Sequence, residues 1–287
     1  MSMSDAKYIV GIDLGTTNSI LAYTAADADA RETADIQVLE IPQLVGTGAV
    51  AAQEMLPSFI YLPGETDNAS DALALPWQDD VPLVVGELAR NRGAELPQQL
   101  ISSSKSWLCH TMVDRNQPIL PWGAPEQVRR LSPVEASAAI LDHIRRAWNH
   151  TIALEDENLA LERQEIFLTV PASFDAVARE LTVKAAAMAG LPDIVLLEEP
   201  QAVFYAWIQH SGDRWREAVS PGDLVLVCDL GGGTSDFSLI RVSDSAGSLE
   251  LERIAVGHHI LIGGDNMDLA LAYAGAQQMT GSGKKLD

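Results

Sequence analysis

The sequence predicts an α/β protein in which helices pack on mixed β-sheets. Apolar strand patterns alternate with helical patterns from residue 132 onward, an order that is typical of helices layered on a sheet. Two apolar strands also end in the same way, at Asp-Leu-Gly, in YIVGIDLGTTNSIL (residues 8–21) and LVCDLGGGTSDFSL (residues 226–239). With 287 residues, 47% of them hydrophobic, the chain is long enough to bury a sizeable core in one or two domains.

The first elements along the chain are predicted to be strands. Residues 8–13 and 20–24 are apolar runs on either side of a tight turn, so we expect a hairpin. From residue 25 to residue 92, proline and glycine interrupt the pattern repeatedly, as at Pro42 and Pro57. This stretch therefore predicts short strands and loops in a peripheral layer.

Helices and strands alternate in the remainder of the chain. Residues 132–149 carry a helix-start signature, with Ser132 as N-cap, Pro133 at the first helical position and Glu135 at the third. We expect right-handed crossovers wherever a helix joins two parallel strands. The other predicted helices are residues 175–189, closed by Gly190, and residues 200–209, and the predicted strands are residues 166–170, 194–197, 224–229, 237–242 and 249–256.

Composition narrows the classes of function. Forty acidic residues against 19 basic ones give a formal net charge of −21, which argues against nucleic acid or an anionic membrane as a partner. The chain starts without a secretory signal pattern and has no run near the roughly 20 apolar residues of a spanning helix, so we expect a cytoplasmic protein. Cys109 and Cys228 lack a CxxC or metal-ligand context, which predicts two buried free thiols.

The two Asp-Leu-Gly loops have the composition of a phosphate-binding site. In the first, Asp13 ends the strand, and residues 15–17 supply a turn that is rich in backbone N–H and hydroxyl groups. In the second, Asp229 ends the strand, a glycine triplet permits positive φ in residues 231–234, and Asp236 follows. Two such loops facing each other would hold a polyphosphate from both sides.

A simpler interpretation fits either loop alone, since Asp-Gly-rich turns commonly close hairpins. The match between the two loops favours a nucleotide site. The paired aspartates would repel phosphate directly, so we interpret them as ligands of Mg²⁺ through its water shell. Neither loop is a Walker A sequence or a GxGxxG dinucleotide fingerprint.

Five motifs follow one another along the chain. They are GIDLGTTNS (residues 11–19), VPASFDAVARELTVKAAAMAGL (170–191), LLEEPQAVFYAW (196–207), DLGGGTSDFSL (229–239) and GGDNMD (263–268). On these motifs the chain resembles the nucleotide-binding domain of the seventy-kilodalton heat-shock (DnaK-type) chaperones, within the actin-like ATPase superfamily. The VPASFD and EEPQA segments distinguish these chaperones from actin-like filament proteins and sugar kinases.

The resemblance implies an actin-like ATPase (ribonuclease-H-like) fold, with two mixed five-stranded sheets flanked by helices. It divides the chain into a first lobe, residues 1–210, with a peripheral part at about residues 25–107, and the start of a second lobe, residues 211–287. Only 19 residues follow GGDNMD, so we expect a fragment with an incomplete second lobe and weakened binding of ATP. Residues 115–130 look like an insertion relative to the family, and Trp122 in it could be a core or a contact residue.

The resemblance also assigns roles to residues of the candidate site. It implies Mg²⁺ held by Asp13 and Asp229, nucleotide bound by Gly15, Thr16, Thr17, Gly231, Gly232, Gly233, Thr234, Gly263 and Gly264, and catalysis by Lys105, Glu199, Thr234 and Asp236. A lysine there would stabilise charge on the transferring phosphoryl group. Arg179 matches a position linked to signalling between domains.

These residues also have simpler interpretations without the resemblance. Lys105 would be a surface lysine, since lysine is rarely buried. Glu199 would be an acid favoured by the dipole at a helix start, and Arg179 would belong to a solvated helix face.

The cofactors implied are ATP or ADP with Mg²⁺, and the full-length protein would also bind client polypeptides, a co-chaperone and a nucleotide-exchange factor. Two alternatives stay open, a filament-forming actin-like ATPase and a non-catalytic actin-like scaffold. A scaffold has no physical need for a lysine and several acids around one phosphate, which weighs against it.

Overall fold

The computed structural model describes residues 6–27, 35–64, 73–79, 81–245, 248–258 and 260–280. The chain forms two compact units, Met1–Asp213 and Arg214–Asp287. The elements of the first unit are β1 (Tyr8–Leu14), β2 (Asn18–Ala25), β3 (Gln37–Val38), β4 (Ile41–Gly46), β5 (Ala49–Gln53), β6 (Leu56–Pro57), β7 (Ile60–Tyr61), β8 (Val84–Val85), α1 (Glu87–Glu95), β9 (Leu100–Ile101), α2 (Ser104–Trp107), α3 (Pro133–Thr151), β10 (Glu165–Val170), α4 (Ala176–Met188), β11 (Ile194–Glu198) and α5 (Glu199–Ser211).

A six-stranded mixed sheet forms the centre of the first unit. Its strand order is β11-β10-β1-β2-β3, and β6 pairs with β2. Strand β10 is parallel to both β1 and β11, whereas β1 and β2 form the predicted antiparallel hairpin, with Leu14 opposite Ser19. Because β1, β10 and β11 run the same way, their carboxyl ends meet at one edge of the sheet.

Helix α3 covers this sheet and begins as the sequence predicts. The Glu135 N–H donates to Ser132 Oγ at 3.1 Å, and the Ser132 N–H donates to Glu135 Oε2 at 2.7 Å. Such a reciprocal cap contributes about 1 kcal/mol. The side chains that the helix buries completely in the sheet core include Ile140, Leu141, Ile144 and Trp148.

Helices α4 and α5 also start and end near the predicted residues. Asp175 caps α4 by accepting the Ala178 N–H at 2.7 Å, and Gly190 follows the helix with a φ of 84°, which is the left-handed conformation that favours glycine. Helix α5 begins at Glu199, directly after β11, with Pro200 in its first turn. Glu199 is therefore delivered to the carboxyl edge of the sheet.

The peripheral layer contains the predicted short strands and two short helices that were not predicted, α1 and α2. Strands β4 and β5 form one sheet, and β8, β7 and β9 form another. We expected mostly short strands and loops up to residue 92, but residues 87–92 belong to α1. Gly93 inside this helix allows close packing, since a Cβ atom there would lie 2.4 Å from Leu100 Cδ1.

The second unit contains one sheet and two helices in its described part. Its elements are α6 (Trp215–Ala218), β12 (Leu224–Leu230), β13 (Ser235–Ser245), β14 (Ser248–Val256) and α7 (Gly264–Thr280). The sheet has three antiparallel strands in the order β12-β13-β14 among the described residues. None of the described helices in either unit is long and apolar enough to cross a membrane.

The two cysteines are less buried than the sequence predicts. Cys109 is half-buried, and Cys228 is exposed, so the prediction of two buried thiols is wrong. Cys228 lies on the face of β12 that also exposes Leu224, Leu226 and Leu230, while Val227 faces the other way and is buried. A continuous apolar run such as that of β12 is typical of a strand buried on both faces, so the sequence predicts burial of Cys228 although one face of the strand is exposed.

Candidate functional site

The turn between β1 and β2 is a tight loop in which residue 15 must be glycine. A Cβ atom on Gly15 would lie 2.1 Å from the Asn18 carbonyl oxygen, far inside van der Waals contact. The Thr17 carbonyl accepts the Ser58 N–H at 2.8 Å, and the hydroxyls of Ser58 and Ser19 share a buried hydrogen bond of 2.9 Å. Thr16 is half-buried in the same turn. The protein core therefore supports this loop from below.

Asp13 lies one residue before the end of β1 and is exposed to solvent. The Thr169 hydroxyl, from the neighbouring parallel strand β10, donates to Asp13 Oδ1 at 2.9 Å. This hydrogen bond restricts the rotation of the carboxylate, which suits a group that holds a hydrated cation. Thr169 was not predicted as a site residue, although it is the single polar residue in the run IFLTV just before the strand ends.

Lys105, on α2, is buried and forms an ion pair with Glu199. The ammonium donates to Glu199 Oε1, and the two side chains are only 10% and 14% exposed. Burying an ammonium group costs several kcal/mol unless a carboxylate compensates it. The interpretation of Lys105 as a surface lysine is therefore wrong, and two of the predicted catalytic residues lie in direct contact.

The acid next to Glu199 is paired as well. Arg179 Nη2, on α4, donates to Glu198 Oε1 at 2.8 Å, and Arg179 Nε donates to the Phe174 carbonyl at 3.2 Å. Arg179 therefore links α4 to the end of β11 and does not belong to a solvated helix face. Consecutive acids at the start of α5 thus bind different cations, one from α2 and one from α4.

The loop between β12 and β13 is the counterpart of the first loop in the second unit. The Gly231 N–H donates to the Thr234 carbonyl at 2.9 Å and closes the turn, with Gly232 and Gly233 at its tip. Asp229 and Asp236 lie directly opposite each other in the strand register. Asp236 is buried, at 8% exposure, and Asp229 is half-buried.

The start of α7 contacts this second loop through backbone atoms. The Gly264 N–H donates to the Gly231 carbonyl at 3.0 Å, and the Asp265 N–H donates to the Gly232 carbonyl at 2.8 Å. A Cβ atom on Gly263 would lie 2.5 Å from the Gly232 oxygen. We expected positive φ in the glycine triplet, but Gly231 does not adopt it, and the glycine that a close approach of two backbones requires is Gly263, just before α7.

The predicted site residues thus form two groups, one in each unit. The first unit holds Asp13, Gly15, Thr16, Thr17, Lys105 and Glu199, and the second holds Asp229, Gly231, Gly232, Gly233, Thr234, Asp236, Gly263 and Gly264. No group of three or more His, Cys, Asp or Glu side chains in the described residues is placed to hold a metal ion. Magnesium that keeps most of its waters needs only one or two carboxylates as direct or water-mediated ligands.

The mixed α/β architecture with its two loops is that of the actin-like ATPase fold. A model of the family described as Hsp70 protein matches residues 79–285 of this chain. The chain therefore belongs to the Hsp70 family, and its sequence corresponds to the N-terminal part of the nucleotide-binding domain.

Similar curated proteins carry the name HscA. The chain is 32% identical over 274 residues to "Chaperone protein HscA homolog" of Pasteurella multocida (strain Pm70), covering 91% of this chain and 36% of that protein. It is 31% identical over 271 residues to "Chaperone protein HscA" of Enterobacter sp. (strain 638), covering 93% and 37%. It is 33% identical over 278 residues to the homolog of Histophilus somni (strain 129Pt), again covering 93% and 37%. The chain spans little more than a third of the length of these relatives.

Proposed function

We propose that this chain is the part of a DnaK-type chaperone ATPase that binds the phosphates and magnesium of ATP. The observation that carries the proposal is the buried ion pair between Lys105 and Glu199, at the sheet edge where Asp13 also lies. Burying a lysine has a desolvation cost. An enzyme can use the positive charge of such a lysine to stabilise a transferring phosphoryl group. We assign residues 1–210 to the first lobe, with residues 25–107 as its peripheral part, and residues 211–287 to the start of the second.

The proposal gives each group of residues a physical task. Asp13 and Asp229 would hold Mg²⁺ through water, and the cation would neutralise charge on the phosphate oxygens. Thr16 and Thr17 would contact phosphate from the first unit. Thr234 and Asp236 would orient the attacking water and accept its proton, while Glu199 keeps the Lys105 ammonium in place.

The glycines of the second unit would act in different ways. The N–H groups of Gly231, Gly263 and Gly264 already donate, to Thr234 O, Asn266 Oδ1 and Gly231 O respectively. We therefore assign the phosphate contacts to the tip of the loop, Gly232 to Thr234. The other three glycines would shape the loop and let α7 approach it.

The remaining parts of the proposal concern the longer protein. The relatives are named chaperones, and we propose that the full-length protein couples ATP hydrolysis to binding of client polypeptides, with a co-chaperone and a nucleotide-exchange factor. A cytoplasmic location is part of the same proposal. The isolated chain would bind ATP weakly, because the resemblance implies adenosine contacts from a later part of the domain, and their loss removes favourable terms while the cost of ordering the ligand stays.

The test combines calorimetric titration of MgATP and MgADP with a measurement of phosphate release. We expect the isolated chain to bind MgATP with a Kd weaker than about 10 μM. Lys105→Met should leave this affinity within about threefold, since the lysine acts on the transition state, but should lower hydrolysis about 100-fold. The control is Lys184→Met, because Lys184 is an exposed lysine on α4 whose ammonium donates to Asn116.

Lys105→Met leaves the Glu199 carboxylate buried without its cation, so the double variant Lys105→Met/Glu199→Gln should be tested beside it. Loss of hydrolysis in both, with unchanged circular dichroism, supports the catalytic role. Unchanged hydrolysis in the double variant refutes it. Absence of nucleotide binding by both this chain and its full-length protein would favour the non-catalytic scaffold, and sedimentation only with ATP would favour a filament-forming ATPase.

A further inference from the structure

A cavity of about 520 Å³ lies in the first unit, between α3, residues 75–78 and 81–85, and the end of α4. Its volume is within the range of sites that enclose small organic ligands. None of the residues assigned to nucleotide, magnesium or catalysis lines it. The cavity is therefore a candidate for a second binding site in this unit.

One part of the cavity lining is apolar. The Trp77 indole is fixed against the buried His143 ring, with the ring centres 5.3 Å apart and the planes at 78°. Apolar side chains that line the cavity beside Trp77 include Leu75, Leu83, Val85, Ala139 and Met188. This lining requires a ligand with an apolar body, because the body gains free energy in proportion to the area that it removes from water.

The other part of the lining carries three arginines, which differ in what they already bind. Arg145 donates to the Ala189 carbonyl at 2.7 Å and to Asp142 Oδ1 at 2.8 Å. Arg146 donates to Asp142 Oδ2 at 2.7 Å and to Gln78 Oε1 at 2.9 Å. These contacts fix both guanidinium groups in the wall of the cavity.

Arg129 is the arginine of the lining whose guanidinium N–H groups make the fewest hydrogen bonds. It is exposed, and its hydrogen bond within the described part of the chain is a long one, from Nη1 to the Pro82 carbonyl at 3.5 Å. No carboxylate of the described residues lies within ion-pair distance of it. A guanidinium that is not already paired can bind a carboxylate through two parallel hydrogen bonds.

The local charge of the cavity contrasts with that of the whole chain. Three arginines against Asp142 and Glu135 give a lining charge of +1, in a chain with a formal charge of −21. Both acids are engaged, Asp142 by two arginines and Glu135 by the Ser132 N–H. The negatively charged protein surface repels an anion over most of its area, whereas the cavity attracts it.

We propose that this cavity binds a small amphiphilic anion, an aliphatic or aromatic carboxylate. Its apolar body packs between Trp77, Ala139 and Met188, and its carboxylate pairs with Arg129. The site is independent of the nucleotide site proposed above, so failure of one proposal leaves the other standing.

The probes are octanoate and its uncharged counterpart 1-octanol, titrated into the nucleotide-free chain and followed by ligand-detected NMR. We expect octanoate to bind about fivefold more tightly than octanol, the size of effect that a partly exposed ion pair gives. Arg129→Met should reduce octanoate binding to the level of octanol and leave octanol unchanged. Arg163→Met is the matched control, because Arg163 is an exposed arginine outside the cavity.

A second pair of variants tests the location of the apolar body. Ala139→Phe places a ring in the cavity and should abolish binding of both probes, whereas Ala187→Phe, on the exposed side of α4, should not. Circular dichroism shows that each variant folds. Equal affinity for octanoate and octanol, equal effects of the two arginine variants, or no saturable binding of octanoate would each overturn the proposal.

Discussion

The two Asp-Leu-Gly loops are similar in sequence but differ in what supports them. The first follows β1, whose Val10, Ile12 and Leu14 are all at most 2% exposed, and it hydrogen-bonds to Ser58 beneath it. The second follows β12, where only Val227 is buried, and its contacts come from the backbone at the start of α7. The motif therefore encodes a turn and its donors, while the support for the turn depends on the rest of each unit.

The largest expected difference concerns the first glycine of each loop. A Cβ atom on Gly15 would lie 2.1 Å from a backbone oxygen, whereas a Cβ atom on Gly231 would lie 3.5 Å from its nearest neighbour, which is ordinary contact. We expect Gly15→Ala to lower the free energy of unfolding of the first unit by more than about 3 kcal/mol, because the backbone must shift. Gly231→Ala should cost less than about 1 kcal/mol.

Urea denaturation followed by tryptophan fluorescence measures the first effect, because the buried Trp148 reports on the core of the first unit. The second effect requires hydrogen exchange of the β12 and β13 amides. Equal costs for the two substitutions would show that the loops are supported alike and would contradict the comparison.

The next difference concerns acid stability. Burial lowers the pKa of His143 in the first unit to about 4, although a hydrogen bond with the Pro42 carbonyl and the nearby Asp142 act in the opposite direction, and Arg146 lowers the pKa further. The unfolded chain takes up this proton near pH 6.5, so stability is full above that pH and falls as the pH decreases from about 6.5 to about 4. The loss should reach about 3 kcal/mol for this one group.

The described histidine of the second unit, His258, is exposed, so the comparison between the units is tested through His143. His143→Gln, which retains a donor for the Pro42 carbonyl, should flatten the pH dependence of urea denaturation in the first unit. His210→Gln, at an exposed position of α5, serves as the control. An unchanged slope in His143→Gln would show that other groups cause the acid sensitivity.

The features that the sequence predicted well depend on residues that are close together in the chain. The cap of α3, the hairpin of β1 and β2 and the glycine after α4 each follow from a few neighbouring residues. Helix α7 was missed because its apolar residues do not line one face, and Cys228 was misjudged because its burial depends on what covers β12. Burial is a property of tertiary packing, which local patterns report only in part.

The residues of the two loops could be predicted from the sequence alone, whereas residues that join the site from distant parts of the chain could not. Asp13, Gly15 and Asp229 were found from the repeated loop itself. Lys105 was found only through the family resemblance, because 94 residues separate it from Glu199. Thr169 was missed altogether, since its contact with Asp13 spans 156 residues and exists only because β10 pairs with β1.

Thr169 provides the smallest and most specific test of the comparison. The Thr169 hydroxyl donates to Asp13 in the first unit, and Asp229 lies opposite Asp236 in the sheet of the second unit. Thr169→Val keeps the shape of this half-buried side chain but removes the hydrogen bond to the Asp13 carboxylate, which should cost about 1 kcal/mol. We expect the Mg²⁺ concentration for half-maximal nucleotide binding to rise about fivefold, with hydrolysis at saturating Mg²⁺ nearly unchanged.

Thr169→Ser, which retains the hydroxyl, should restore the metal dependence, and this rescue separates orientation of Asp13 from a general effect on strand packing. A fall in hydrolysis at saturating Mg²⁺, equal in the valine and serine variants, would instead indicate that the strand itself was disturbed. If valine changed neither property, Asp13 would not depend on its neighbour in β10. The contrast between the units would then lie only in how their loops are supported.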